Sequence, residues 1–427
     1  MATQFVPDLE RQTIRKVVWR LLPLIVIAYF VAYIDRTNVA FAALTMNKDL
    51  GLSSYAFGFG AGIFFIGYFL FEVPSNIALE KVGARLWIAR IMISWGLVSG
   101  AMAFAAGPVS FTAMRFLLGA AEAGFFPGMI LYFTYWFPAR YRGRVVALLY
   151  MAVPISNGLG AALSGVLLGL DGALGFKGWQ WLFLLEALPA IGLGFIVLWA
   201  MTDRPAVAKW LTQDQKDWLE GELQQERRAL LHSGSRHKLW HSFTDGRVLL
   251  LCFLYFLTTT ANYGITFFMP QILKGFGQSD LITGLLAAIP YLLGMIGLLA
   301  WGISSDRTDE RRWHFISACL VGGVGLASAA LFSGSYSQLA MLALATVGIY
   351  GSRPPFWPMP SRYLTGTAAA GGIALVNSVG NLGGYAGPVI VGWIKDSTNG
   401  FVAPLYFLAA SAVLAAVIGV LAPGIAG

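Results

Sequence analysis

Apolar runs of membrane-crossing length recur along the chain, separated by short polar turns. A spanning helix needs about 20 predominantly apolar residues. Twelve stretches qualify: 18–43, 55–79, 86–106, 108–137, 145–170, 179–201, 247–273, 280–304, 313–333, 336–363, 370–394 and 401–422. One long polar stretch, residues 202–246, interrupts the series and divides it six and six. Within it, Thr212, then Gln215 and the run from Asp217 to Arg228 predict a capped, charge-laced amphipathic helix. The pattern predicts an all-α polytopic membrane protein in three parts: 1–201, a connector 202–246, and 247–427. Arg11, Arg15, Lys16 and Arg20 precede a first run too long for a cleaved signal, so that run reads as a span.

Composition agrees. The 427 residues are 57% hydrophobic and only 12% charged, where a soluble chain would carry about a quarter charged. That leaves too little polar surface for an ordinary cytosolic enzyme or a disordered protein. The net charge of +8 invites a nucleic-acid reading, but its distribution answers otherwise. With the N-terminus inside, 22 lysines and arginines fall on inner segments and four, Lys48, Lys177, Lys274 and Lys395, on outer ones. The inner set includes Arg140, Arg142 and Arg144, and Arg307, Arg311, Arg312 and Arg362. This is the positive-inside skew, and it puts both termini in the cytoplasm. Cys252 and Cys319 sit in apolar runs and offer no disulfide framework.

The two halves share a loop pattern, Glu80–Arg85 after span two and Gly302–Arg307 after span eight. Repeated halves joined by a connector suit carriers that rock about a midplane site. The Asp306-Arg307 segment and its degenerate counterpart at Glu80–Arg85 resemble the loop signature of the major facilitator superfamily. Within it, Tyr33-Ile34-Asp35-Arg36-Thr37-Asn38, Glu72-Val73-Pro74-Ser75-Asn76, Trp179–Phe183, Asn262-Tyr263-Gly264, Phe356-Trp357 and Asn377–Gly384 resemble the anion:cation symporter subfamily. The resemblance implies twelve transmembrane helices in two pseudo-symmetric six-helix bundles in the cytoplasmic (inner) membrane, and proton-driven uptake of an organic anion. Protons would be the coupling ion, with no other cofactor and no obligate protein partner.

An ionisable side chain at the bilayer centre costs at least ~2.5–3.5 kcal/mol on insertion scales, so each needs a reason. Beyond the charges at their ends, the spans hold seven: Asp35, Arg36, Glu72, Arg115, Glu122, Glu186 and Arg353. Arg115 and Glu122, seven residues apart, share a helix face roughly 10 Å apart along the axis. Asp35, Arg36, Arg115 and Glu122 therefore form either a structural set of ion pairs or a coupling network. The histidines, His232, His237, His241 and His314, all lie in the connector or at an inner loop, so carboxylates must carry any proton. Gaining or losing an arginine partner would unload or load it. The resemblance assigns proton coupling to Asp35 and Glu122, the substrate carboxylate to Arg36, and tuning of Glu122 to Arg115.

Arg353 stands in Ser352-Arg353-Pro354-Pro355-Phe356-Trp357-Pro358, where three prolines break the helix. Such a break is tolerated only beside protein or a water-filled cavity. Arg353 could offer a planar fork to a second acidic group, or cap the broken helix or snorkel. By resemblance, Tyr33, Tyr68, Trp357, Asn377, Asn262 and Tyr263 join the substrate wall, although aromatics in membrane helices commonly only pack. Glu72 reads as a gating or packing partner of an inner-loop arginine, alongside Arg85, Asp306 and Arg307; Glu186 reads as structural. Spans five and ten offer Met151–Pro154 and Pro354–Phe356 where sugar-acid carriers place polar groups, which favours a compact hydroxy-dicarboxylate or an aromatic carboxylate. The chain has no G-x-x-x-x-G-K-[ST] segment and no His/Cys cluster at membrane depth, so neither ATP coupling, metal chemistry nor an enzyme is expected. A proton-independent facilitator or exchanger, and a substrate sensor on the same fold, are the competing expectations.

Overall fold

A computed structural model describes residues 2–232, 245–360 and 366–422; Arg362, His237 and His241 lie outside them. The chain runs through α1 (Ala2–Asp49), α2 (Ser54–Val82), α3 (Ala84–Ala101), α4 (Pro108–Glu122), α5 (Phe125–Trp136), α6 (Ala139–Leu168) and α7 (Gly178–Ala200). The connector helix α8 (Gln213–His232) follows. Beyond it come α9 (Gly246–Lys274), α10 (Asp280–Thr308), α11 (Arg312–Leu331), α12 (Tyr336–Gly351), α13 (Arg353–Phe356), α14 (Gly366–Asn381), α15 (Gly383–Thr398) and α16 (Val402–Leu421).

Ten helical stretches among the described residues are long and apolar enough to cross a membrane. The predicted spans ten and eleven are the ones missing from that set, because each is broken. Pro354 and Pro355 lack N–H donors, and the helix stops at Ser352 before restarting as α13. The second break falls at Leu382, between α14 and α15. Span four is kinked rather than lost: Gly124 turns left-handed (φ +84°) between α4 and α5. A Cβ there would lie 2.4 Å from Ser75 Oγ, so only glycine fits the turn.

The helices before the connector pack mainly on one another, as do those after it. Three seams join the two sets: α2 against α15, α6 against α10, and α1 against α9. The tight parts of the first two lie toward the end of the bundle away from the connector. A Cβ on Gly58 would sit 2.1 Å from the Pro388 carbonyl oxygen, and one on Gly284 2.5 Å from that of Ala161. Small residues at such crossings let backbones touch, which is how helices associate in lipid. At the same end the Asp396 carboxylate accepts the backbone N–H groups of Ser54 (3.0 Å) and Tyr55 (2.7 Å), tying α15 to the start of α2.

The predicted connector helix forms with its expected cap: Thr212 and Gln215 exchange side-chain to backbone hydrogen bonds at 3.2 and 3.4 Å. It lies against the first set of helices. Arg140 bridges Glu222 and Glu10, each at 2.7 Å, Arg142 pairs with Glu226, and Tyr141 donates to Glu10 at 2.6 Å.

Candidate functional site

The membrane-depth charges gather where the α1/α9 seam meets α2 and α4. Arg36 projects from α1 and pairs with Glu122 at the end of α4. Its guanidinium lies 4.9 Å from the Tyr33 ring centre, 5.3 Å from Phe64 and 5.5 Å from Tyr68. Across the seam, Arg36 Nη1 donates to Tyr263 Oη at 3.5 Å. Tyr263 in turn stacks on Phe267 and packs at a tilt against Phe65, 4.5 Å between ring centres, so an aromatic box from both sets of helices encloses the arginine. Its side chain keeps 11% exposure while that of Glu122 keeps 1%. A buried pair of this kind holds because removing either partner strands the other charge, at a cost of about 3–5 kcal/mol.

Arg115 does not bond Glu122 here. It is fully buried, donates through Nη2 to the Ala61 carbonyl at 3.2 Å, and packs on Phe64. Its Nε and Nη1 have no hydrogen-bond partner. The two arginines thus flank one carboxylate, one engaged and one holding unused donors. Asp35, next to Arg36 in sequence, points about 100° away around α1 and joins a different group: Trp95 Nε1 donates to it at 2.9 Å and Ser99 Oγ at 3.0 Å. The expected single network of four charges is therefore split in two.

In the second set of helices, Arg353 donates to Thr259 Oγ1 at 3.4 Å and lies 4.7 Å from the Tyr255 ring. Trp357 packs edge-on against Tyr255, with its indole N–H buried and unpartnered. Asn262 is half-buried on α9 beside Tyr263. Glu72 departs from expectation. Its partners are Asn377 Nδ2 (3.5 Å) and Ser378 Oγ (3.4 Å) on α14, not an inner-loop arginine. Polar side chains of α14 are closer to it than any loop, because α2 and α15 run side by side along the seam.

The loop charges bond within their own sets. Arg85 donates its backbone N–H to Asp203 at 2.8 Å, with its side chain 3.9 Å away; Asp306 takes Arg311 at 2.5 Å, and Arg307 is exposed. Glu310 accepts the N–H groups of Trp313 (2.7 Å) and His314 (3.1 Å) at the start of α11.

Sequence reasoning missed three contributors. Trp95 and Ser99, one turn apart on α3, cradle Asp35; their i, i+4 spacing was a usable signal. Asn157 on α6 donates to Tyr350 Oη on α12 at 2.8 Å, a polar link between the two sets. Spans five and ten are therefore not apolar at this level, contrary to expectation: their polar groups stand about one turn from Met151–Pro154 and Pro354–Phe356.

Charges buried on a seam between two packed sets of membrane helices, with one end of the seam drawn shut, define a membrane transporter. Comparison with known proteins supplies the family: the Major Facilitator Superfamily model matches residues 25–388 and again 251–424, and the chain belongs to that superfamily. It is 51% identical over 411 residues to a protein named putative tartrate transporter from Agrobacterium vitis, covering 96% of this chain and 94% of that one. To a quinolone resistance transporter of Acinetobacter baumannii it is 45% identical over 402 residues, covering 94% and 92%. A solved structure of a D-xylose-proton symporter superposes with a TM-score of 0.75 at 17% identity, covering 94% of this chain and 97% of that one, which speaks to the fold. The chain is an integral, multi-pass membrane transporter and not an enzyme.

Proposed function

We propose that this transporter is a proton-coupled symporter, taking up a small organic carboxylate across the inner membrane by alternating access. Twelve spans form two six-helix bundles, 1–201 and 247–427, joined by the cytoplasmic connector, with both termini inside. The broken helices α12/α13 and α14/α15 count as single spans. The seam end drawn shut by Gly58, Gly284 and Asp396 is then the outer one, and the conformation described faces inward.

The observation that carries the reading is the Arg36–Glu122 pair inside its two-sided aromatic box. A substrate carboxylate offers arginine the same planar fork that Glu122 offers. The two therefore compete, and the substrate displaces Glu122 most easily when Glu122 takes a proton. Binding of the anion and uptake of the proton become one event. The spare donors of Arg115 give Glu122 a second partner when it recharges on release. Asp35 holds a second proton. Arg353, facing from the other bundle, takes the second acidic group of a diacid, and Tyr33, Tyr68, Asn262, Tyr263, Trp357 and Asn377 complete the wall. Glu72, Arg85, Asp306 and Arg307 act in gating.

The relative named as a tartrate transporter supports a compact hydroxy-dicarboxylate as the substrate class. Calorimetric titration of L-tartrate against purified protein tests the competition. With one linked proton, affinity falls by up to about tenfold per pH unit above the Glu122 titration. Glu122→Gln binds with little pH dependence. Equal pH dependence in both proteins contradicts the competition.

A further inference from the structure

Between the Arg36–Glu122 pair and the closed end, a second polar set is buried among α1, α3, α6 and α7. Asp35 is 1% exposed, and its two oxygens are taken by Trp95 and Ser99. One turn along α1 stands Asn38, also 1% exposed, whose amide nitrogen and oxygen both lack a hydrogen-bond partner. Glu186 on α7 is 3% exposed; Oε1 accepts from Ser164 at 3.1 Å, and Oε2 is buried without a partner. Ser164 of α6 bonds Glu186, and Gly96 and Gly100 of α3, which flank Ser99, close on Ala187 of α7, so the level of Trp95, Ser99 and Asp35 meets α7 at Glu186; Asp35 and Asn38 of α1 are its charged and amide neighbours. None of them is a cation.

Two carboxyl groups in one dry pocket with no cation between them are held at least cost as one acid and one carboxylate. Asp35 has two donors stabilising its charge, whereas Glu186 has one and a bare oxygen. The retained proton therefore belongs on Glu186 Oε2. Asn38 suits both forms, since its carbonyl accepts from the acid and its N–H donates to the carboxylate. Glu186 stands eight residues into α7 from Gly178 at the closed end, a depth of about 12 Å.

We propose that Glu186 is a proton-relay residue, exchanging a proton between the closed, outer end and Asp35 by a route separate from the substrate's. When the proton moves, the Glu186 acid becomes a carboxylate and the Asp35 carboxylate becomes an acid; Glu186 then takes a fresh proton from the outer end, which completes one relay. The proposal rests on Asp35 being a coupling residue.

Infrared difference spectroscopy and flux together test it. A protonated-carboxyl band at neutral pH disappears in Glu186→Gln, a measurement that needs no substrate; its persistence overturns the assignment. In proteoliposomes, with L-tartrate as probe, Glu186→Gln lowers accumulation driven by a pH gradient about tenfold or more. Exchange at equal pH stays near wild type, and Glu186→Asp recovers part of the loss. Unchanged accumulation, or loss of exchange as well, overturns the relay in favour of a structural role. Asp35→Asn run alongside separates the failures: if it accumulates like wild type, the coupling reading itself falls, whatever Glu186 does.

Discussion

Scarcity of charge at membrane depth is what made individual residues readable. Each of the seven ionisable groups at membrane depth needed a partner, and the chain's charged positions were therefore legible before any packing was known. Their pairing was not. Arg36 and Asp35 are neighbours in sequence, yet one faces Glu122 and the other Trp95, because a helix turns adjacent side chains apart. Trp95 itself escaped notice, since an indole in a membrane helix ordinarily packs against lipid or core. The pairing fixes two expectations. Removing Glu122 as a charge leaves Arg36 buried and uncompensated, so Glu122→Gln loses about 3–5 kcal/mol of stability, and a bound carboxylate restores more of it than in wild type. Thermal unfolding with and without L-tartrate measures the difference; equal ligand stabilisation of both proteins contradicts it. For Arg353, a lost charge-assisted contact is worth about 1.5–3 kcal/mol. Arg353→Gln accordingly weakens tartrate by tenfold or more and leaves a monocarboxylate such as lactate nearly unchanged; equal losses for both show that Arg353 does not bind a second carboxylate.

At the scale of elements, the proline run announced the break in span ten, whereas the break at Leu382 has no proline and lies among Gly380, Gly383 and Gly384, which do not single out one position. The glycines of the α2/α15 and α6/α10 seams do pack, and they do so across the two sets of helices. Gly284 approaches the Ala161 carbonyl too closely for any Cβ to enter. Gly284→Leu therefore holds that end apart without touching the core of either bundle. A cysteine replacing Tyr33 then reacts faster with an impermeant thiol reagent added outside than it does with Gly284 intact; unchanged labelling means that this seam is not a gate. Asp396 gives the same end a pH term. Burial pushes its carboxyl up, but the N–H groups of Tyr55 and Ser54, helped by the serine hydroxyls, outweigh that and hold it below the usual aspartate range. Its contribution is present above the ordinary aspartate pKa and is lost as pH falls through the lowered one. The latch thus stays shut through neutral and mildly acidic conditions, and Asp396→Asn raises outside labelling of the same cysteine at pH 7. No rise in Asp396→Asn removes the latch from the account.

For the whole molecule, the hydrophobic pattern carried ten of the apolar spans and the connector helix with its cap. What it could not carry is which end of the seam is closed, since one sequence must serve every state of the cycle. The loop residues Arg85 and Asp306 bond within their own bundles here, as fits a conformation whose inner end is not clasped. On the proposed mechanism net movement depends on emptying and refilling one arginine, and the coupling between anion and proton is the claim on which the rest stands. The direct test is uptake of L-tartrate into proteoliposomes at fixed membrane potential with the outside made acidic. The account predicts transient accumulation above equilibrium in wild type that collapses with a protonophore and is absent in Glu122→Gln, which still exchanges tartrate at equal pH. Wild-type uptake indifferent to the pH gradient would contradict it.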